Sequence, residues 1–224
     1  SNKYSYWNLE SIGGYHPVKL RNYQDLMDAK GFSRPQILDM LNVKYVLTRK
    51  KINNPDFIGL KDVPGVFQNI NVLPKAWIVG NVKSVETQRE SLMETLLNGF
   101  DPSNTAIIYK YQGELLKGMA SGQVDVISRS ENKINIMSQS ETGGLLVLSE
   151  IYYKPGWRAY VNGEETPVYQ TNHILRSIYV PSGEHQIEFR YDDSSWKQTR
   201  ILSRVSFLAI LFGFGFILWK EKEN

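Results

Sequence analysis

From Val205 to Trp219 the chain reads VSFLAILFGFGFILW, a run without a single charge. Carried back to Ile201, it covers 19 residues and admits only Arg204. As a helix it is roughly 28 Å long, close to the hydrocarbon thickness of a bilayer. It is apolar all round and has no polar face to turn to water. Trp196 and Trp219 bracket it as interfacial aromatics do, and Lys220, Glu221 and Lys222 close it with charge. Such a helix either spans a membrane or lies buried in a protein core; the reading adopted is a transmembrane anchor. Taken out of a bilayer, it is expected to make the isolated chain self-associate. The flanking charges do not set orientation, because Lys197, Arg200 and Arg204 precede the run and Lys220 and Lys222 follow it.

The chain before the run has the composition of a water-soluble protein. Its charges are well mixed, 26 basic against 23 acidic over the whole sequence, and no basic stripe forms. Nucleic acid is therefore not an expected partner. There is no cysteine, which excludes disulfides, thiolate metal sites and cysteine nucleophiles, and fits an extracytoplasmic location. The opening SNKYSYWNLE is not a signal peptide. A terminal anchor without a targeting segment leads to the expectation that further chain, with its own transmembrane region, precedes this one, Ser1-Asn2 being an expression scar.

Two textures precede the anchor. Residues 1–117 read as a small mixed α/β region. NYQDLMDAK (Asn22–Lys30) predicts a helix closed by Gly31. Ser33, with Pro35 and Gln36 behind it, has capping-box spacing for the next helix, PQILDMLN. Lys44–Thr48 predicts a buried strand, and Gly65–Asn69, Ala76–Val79 and Ala106–Tyr109 predict others. Thr87–Asn98 predicts an amphipathic helix with Leu92, Leu96 and Leu97 on one side. Gly113–Gly122 reads as a linker.

Residues 118–195 read as an all-β sandwich or jelly-roll-like domain. Strands are predicted at Val124–Ser128, Lys133–Ser138, Leu145–Tyr152, Trp157–Val161, Pro167–Tyr169, Ile174–Val180 and Gln186–Tyr191. The Asn162-Gly163 pair between two of them is the strongest hairpin signal, because both positions of such a turn need φ > 0. With residues 196–224 as anchor and charged tail, the fold class is α+β.

Few residues carry chemistry. His16, His173 and His185 have no partner at zinc-enzyme spacing, and no nucleotide-binding or nucleophile-elbow motif is present. No cofactor or metal is expected. Glu164-Glu165 and Asp192-Asp193 read as a solvated hairpin end and strand end rather than a catalytic pair. Gly13-Gly14-Tyr15-His16 is a candidate binding turn, where glycines admit a ligand to the backbone and Tyr15 and His16 offer a ring and a titratable donor. Otherwise it is a tight turn before a helix. Trp157 is a candidate sugar platform or a core side chain, and Arg158 and Arg176 are candidate phosphate ligands.

Three segments resemble one family: SIGGYHPVKLRNYQDL (Ser11–Leu26), ILDMLNVKYVL (Ile37–Leu47) and the long stretch from Ser149 to Tyr191 that contains YYKPGWRAYVNG. In this order, ahead of a hydrophobic helix, they resemble the C-terminal part of YfhO-type bacterial membrane proteins. These are similar to GT-C-type glycosyltransferases that use lipid-linked sugars. The resemblance implies a bacterial cell-membrane location, with residues 1–200 facing outward and the tail after Trp219 cytoplasmic. It also implies a parent that handles lipid-linked sugars in building cell-envelope glycans. In GT-C-like enzymes the catalytic acid lies in an early outer loop, so the resemblance carries over no catalytic residue, and this piece is expected to be non-catalytic. The alternative is a membrane-anchored β-sandwich module for adhesion or assembly.

Overall fold

AWIV (Ala76–Val79) and GLLVLSEI (Gly144–Ile151) are near-continuous apolar strands, the pattern of strands covered on both faces. They form the middle of the molecule. A computed structural model describes residues 3–222 apart from 8, 15–18, 114–115, 119 and 121, with the side chains of all of these but 3, 5, 195, 216–218 and 221. Short helices α1 (Lys3–Tyr6), α2 (Arg21–Asp28) and α3 (Pro35–Met40) lead into β1 (Tyr45–Leu47), β2 (Phe57–Gly59) and β3 (Val66–Asn69). Then come β4 (Ala76–Val79), β5 (Asn81–Val85), α4 (Gln88–Thr95) and β6 (Thr105–Tyr109). The later strands are β7 (Gly122–Arg129), β8 (Lys133–Ser140), β9 (Gly144–Ile151) and β10 (Trp157–Val161). They continue with β11 (Glu164–Thr166), β12 (Tyr169–Thr171), β13 (Leu175–Val180) and β14 (Gly183–Tyr191), before the long α5 (Ser194–Lys222).

Alternation sorts the side chains into layers. The six-stranded sheet has the order β4-β9-β13-β12-β6-β5, and the five-stranded sheet β11-β10-β14-β8-β7. Ile78, Leu146, Leu148, Ile178 and Val180 turn from the first sheet toward the second and meet Ile134, Ile136, Ala159, Ile187 and Phe189. Trp77, Val79, Leu145, Val147 and Leu175 turn the other way, onto Leu26, Ile37 and Met40 of α2 and α3 and Leu92 beside them. The molecule is thus helices on a six-stranded sheet on a five-stranded sheet. In β8, burial alternates as it does in a strand with one wet face. The small sheet β1-β3-β2 stands apart from both. The class is α+β, mostly β, with a small helical region and a C-terminal helix.

The expected division at 117/118 does not hold for the sheets. β4, β5 and β6 lie in one sheet with β9, β12 and β13. Composition reports local texture, whereas β9 needs a hydrogen-bonding neighbour on its second edge, and β4 supplies it through pairs such as Trp77↔Val147. The expected linker is also tied in, since Val82 N–H donates to Leu116 O at 3.0 Å.

Several local readings differ as well. The α2 helix ends with Lys30 in the left-handed region (φ 54°), not Gly31. Gly31 is needed for another reason: a Cβ there would lie 2.5 Å from Leu26 Cδ1. Ser33 belongs to a 3₁₀ turn, and Arg34 occupies the N-cap of α3 without a side-chain bond. The capping box is at α4 instead, where Thr87 accepts from the Glu90 N–H and Glu90 reaches back to the Thr87 N–H. Leu97 is exposed beyond the end of α4, and Tyr45 and Leu47 of β1 are exposed, not buried. β2 and β5 have no predicted counterpart, and of the strand expected at Pro167–Tyr169 only Tyr169 lies in a strand, at the start of β12. Asn162 and Gly163 do take the expected left-handed pair, φ 52° and 89°.

Every described α5 side chain from Trp196 to Gly215 is exposed. Among the described residues no helix is long and apolar enough to cross a membrane. The side chains of Phe216, Ile217 and Leu218, inside the apolar run, lie outside the described ones.

Candidate functional site

Two bulges build a charged cluster at one end of the sandwich. Across β13, Leu175 pairs with Ile151 but Arg176 pairs with Leu148, so Ser149 and Glu150 are extra residues on β9. Across β8, Val126 pairs with Ile136 and Ser128 with Asn135, leaving Ile127 extra on β7 just before Arg129. Bulges re-aim side chains, and here they bring Glu150 and Arg129 together. The Arg129 Nη2 and Lys75 Nζ atoms each lie 2.8 Å from Glu150 Oε1, and Arg176 Nη2 lies 4.0 Å from Oε2. On its other side Arg129 pairs with Glu10 from the N-terminal segment. Three cations therefore meet two carboxylates.

Arg176 is the unusual member. Its side chain is 3% exposed, and its Nε and Nη1 have no hydrogen-bond partner. Its guanidinium lies 4.1 Å from the centroid of the Trp157 ring, a cation–π contact. Burial pulls its pKa down to about 10, against the pull of Glu150. Glu10 is held below the ordinary carboxylate value by its hydrogen bond from Arg129. Arg129 loses by burial but gains more from Glu10 and Glu150, and its pKa is raised.

The cluster opens into a groove of about 840 Å³, within the range of ligand sites. Tyr23, Phe32, Leu41 and Tyr45 give it apolar walls, and Ser11 and Ile12 run along its rim. The rim segment is tied down where Tyr23 Oη donates to Ile12 O. A second hollow, of about 250 Å³ beside Tyr152, Trp157 and Glu165, falls below that range.

The expected site residues scatter. Trp157 and Arg176 come together as a stack. Arg158 faces the other way, where it is exposed and bridged to Glu165 at 2.7 Å and Asp192 at 3.1 Å. Gly13 and Gly14 are exposed and do not line the groove. Tyr15 and His16 lie outside the described residues. Glu10, Lys75, Arg129 and Glu150 were not foreseen. Part of the signal was legible, because Glu150 and Arg176 are lone charges in otherwise apolar strands. The bulges that unite them depend on pairing register.

Among the described residues no group of three acidic or histidine side chains could hold a metal ion. His173, in the turn between β12 and β13, is 1% exposed and both its ring nitrogens lack a partner. Burial pushes its pKa down, with Asp25 opposing.

The architecture defines a helix-backed β-sandwich that carries an exposed apolar helix. Residues 109–203 match the family model described as bacterial membrane protein YfhO, and this part of the chain is similar to that family. The match covers β7 to β14 and the first part of α5, and stops short of the uncharged run at Val205. No curated protein and no solved structure matches the chain.

Proposed function

We propose that this chain is a non-catalytic, outward-facing part of a bacterial membrane protein that works on lipid-linked sugars in cell-envelope glycan assembly. In this reading α5 is a transmembrane anchor and the rest of the chain lies outside the cell membrane. The observation that carries it is the membrane-protein match over 109–203, followed directly by the apolar run from Val205. The Glu150 groove suits an amphipathic anion. Among its lining residues Lys44, Lys75 and Arg129 outnumber Glu10 and Glu150, and their nitrogens are donors for phosphate oxygens. Tyr23, Tyr45 and Phe32 offer rings to a sugar or lipid portion. Both groove carboxylates are engaged by cations, whereas glycosyl chemistry needs one free to give or take a proton.

The test is binding of a short-chain polyprenyl-phosphate sugar to the detergent-solubilised chain by calorimetry. Arg129→Gln and Lys75→Met should each weaken binding on the order of tenfold, the scale of one lost charge-assisted hydrogen bond. Binding indifferent to both substitutions removes the groove from the proposal, and sugar transfer by the chain alone removes its non-catalytic part. The wet outer face of the five-stranded sheet favours one other reading, an anchored module for adhesion or assembly. Tight binding to a protein partner, with no effect of the groove substitutions, would select it.

A further inference from the structure

The sheet β1-β3-β2 contributes no side chain to either hydrophobic core. Tyr45, Leu47, Ile58 and Val63, on this sheet and its connections, are 46–56% exposed. Around them lie five exposed cations, Lys44, Arg49, Lys50, Lys51 and Lys61. None of these is in an ion pair among the described residues. Asp56 and Asp62 are the only acids between 44 and 63, so this stretch holds an excess charge equal to the +3 of the entire chain. Everything else in the molecule is balanced.

The sheet also sits at a defined end. Tyr45 and Leu47 line the groove together with Ile151, at the end of β9. Five residues later, Gly156 O accepts from Asp192 N–H at 2.6 Å, two residues before α5 begins. The sheet and the root of α5 therefore share one end of the sandwich. Every described side chain of α5 from Trp196 to Gly215 is exposed.

We propose that β1-β3-β2 is a membrane-contacting surface that rests on the anionic headgroups of the bilayer into which α5 inserts. The inference rests on the anchor reading given above. Exposed apolar and aromatic side chains rimmed by unpaired lysine and arginine are the chemistry of interfacial binding. The apolar groups enter the headgroup boundary while the cations meet lipid phosphates. The contact would fix the tilt of the body on its anchor and place the groove, whose wall is β1, at the membrane surface.

The sequence has no cysteine, so Ile58→Cys or Phe212→Cys accepts a single environment-sensitive fluorophore. Each labelled full-length chain is reconstituted into phosphatidylglycerol or phosphatidylcholine vesicles. The Phe212 label should report hydrocarbon in both. The Ile58 label should shift to the blue only in phosphatidylglycerol. That shift should disappear in roughly 1 M salt, where charges are screened beyond about 3 Å, and in the exposed-loop variant Arg49→Glu/Lys50→Glu/Lys51→Glu. A water-exposed Ile58 label in phosphatidylglycerol, with Phe212 in hydrocarbon, overturns the inference and leaves the anchor standing. Equal shifts in both lipids overturn its electrostatic basis. A shift that appears only when an anionic glycopolymer is added overturns it in favour of that partner. If the Phe212 label stays in water, the anchor reading fails and the inference falls with it.

Discussion

β9 and α5 are two apolar runs with opposite fates. Leu145, Leu146, Val147 and Leu148 in β9 are all 0% exposed. In α5 the large side chains from Val205 to Phe214 are 51–77% exposed. The difference lies in the backbone as much as in the side chains. A strand must find hydrogen-bonding neighbours, so β9 is drawn between β4 and β13 and covered on both faces. A helix satisfies its backbone internally and can leave the body it is attached to, provided some other apolar phase receives it. Apolarity therefore says that a segment will be covered; what covers it depends on how its backbone is satisfied.

The comparison breaks most easily at α5. Its apolar side chains bury on the order of 10 kcal/mol of favourable transfer even if half are covered. The full chain should need detergent or self-associate through α5. A chain ending at Ser195 should sediment as a monomer in water with its unfolding transition unchanged, because α5 contributes to neither core. A detergent-free full-length monomer with α5 folded on the body would erase the difference between the two runs.

The next test makes one substitution on each side of the comparison. Phe189→Ala, in the core between the sheets at 0% exposure, should cost about 3–5 kcal/mol in urea unfolding. Phe212→Ala should leave body unfolding unaltered and only weaken vesicle retention. Equal losses of body stability from the two would mean that α5 packs where it is shown exposed.

Smaller effects sharpen the body alone. Thr87→Ala removes the capping box that starts α4 and should cost about 1 kcal/mol. Equal stability of variant and parent would show the cap to be redundant. The smallest effect expected is a slope with pH from His173. Its pKa is lowered in the folded state by burial, so the folded protein takes up a proton less readily than the unfolded chain. Stability should be full above the ordinary value of 6.5 and decline as pH falls below it. His173→Asn, which tolerates the left-handed φ of 66° at this turn, should flatten that part of the profile. An unchanged slope in the variant would assign it to other groups.

The groove shows where reading the sequence stopped. Trp157 and Arg176 were candidates by residue type, and they do meet, ring against guanidinium. Arg158 was a candidate for the same reason, and strand alternation sends it to the opposite face, onto Glu165 and Asp192. Lys75, Arg129 and Glu150 carry no local mark of belonging together. Lys75 precedes β4, Arg129 ends β7 and Glu150 lies in the β9 bulge, and a one-residue change of register would separate them.

What the sequence by itself determined is what depends on near neighbours. The left-handed Asn162-Gly163 turn, the strands at Ala76–Val79 and Trp157–Val161, and proline opening α3 all follow from residues within a few positions of one another. The similarity of residues 109–203 to YfhO-type proteins was legible for the same reason, as a contiguous pattern. Only the tertiary structure decided that β4, β5 and β6 complete the sheet of β9, β12 and β13. Only it set Glu10, from the N-terminal segment, and Glu150, from β9, against Arg129. Such pairings join residues up to 119 positions apart. They are chosen by which edges and faces remain uncovered once the local elements exist, and that depends on the whole molecule.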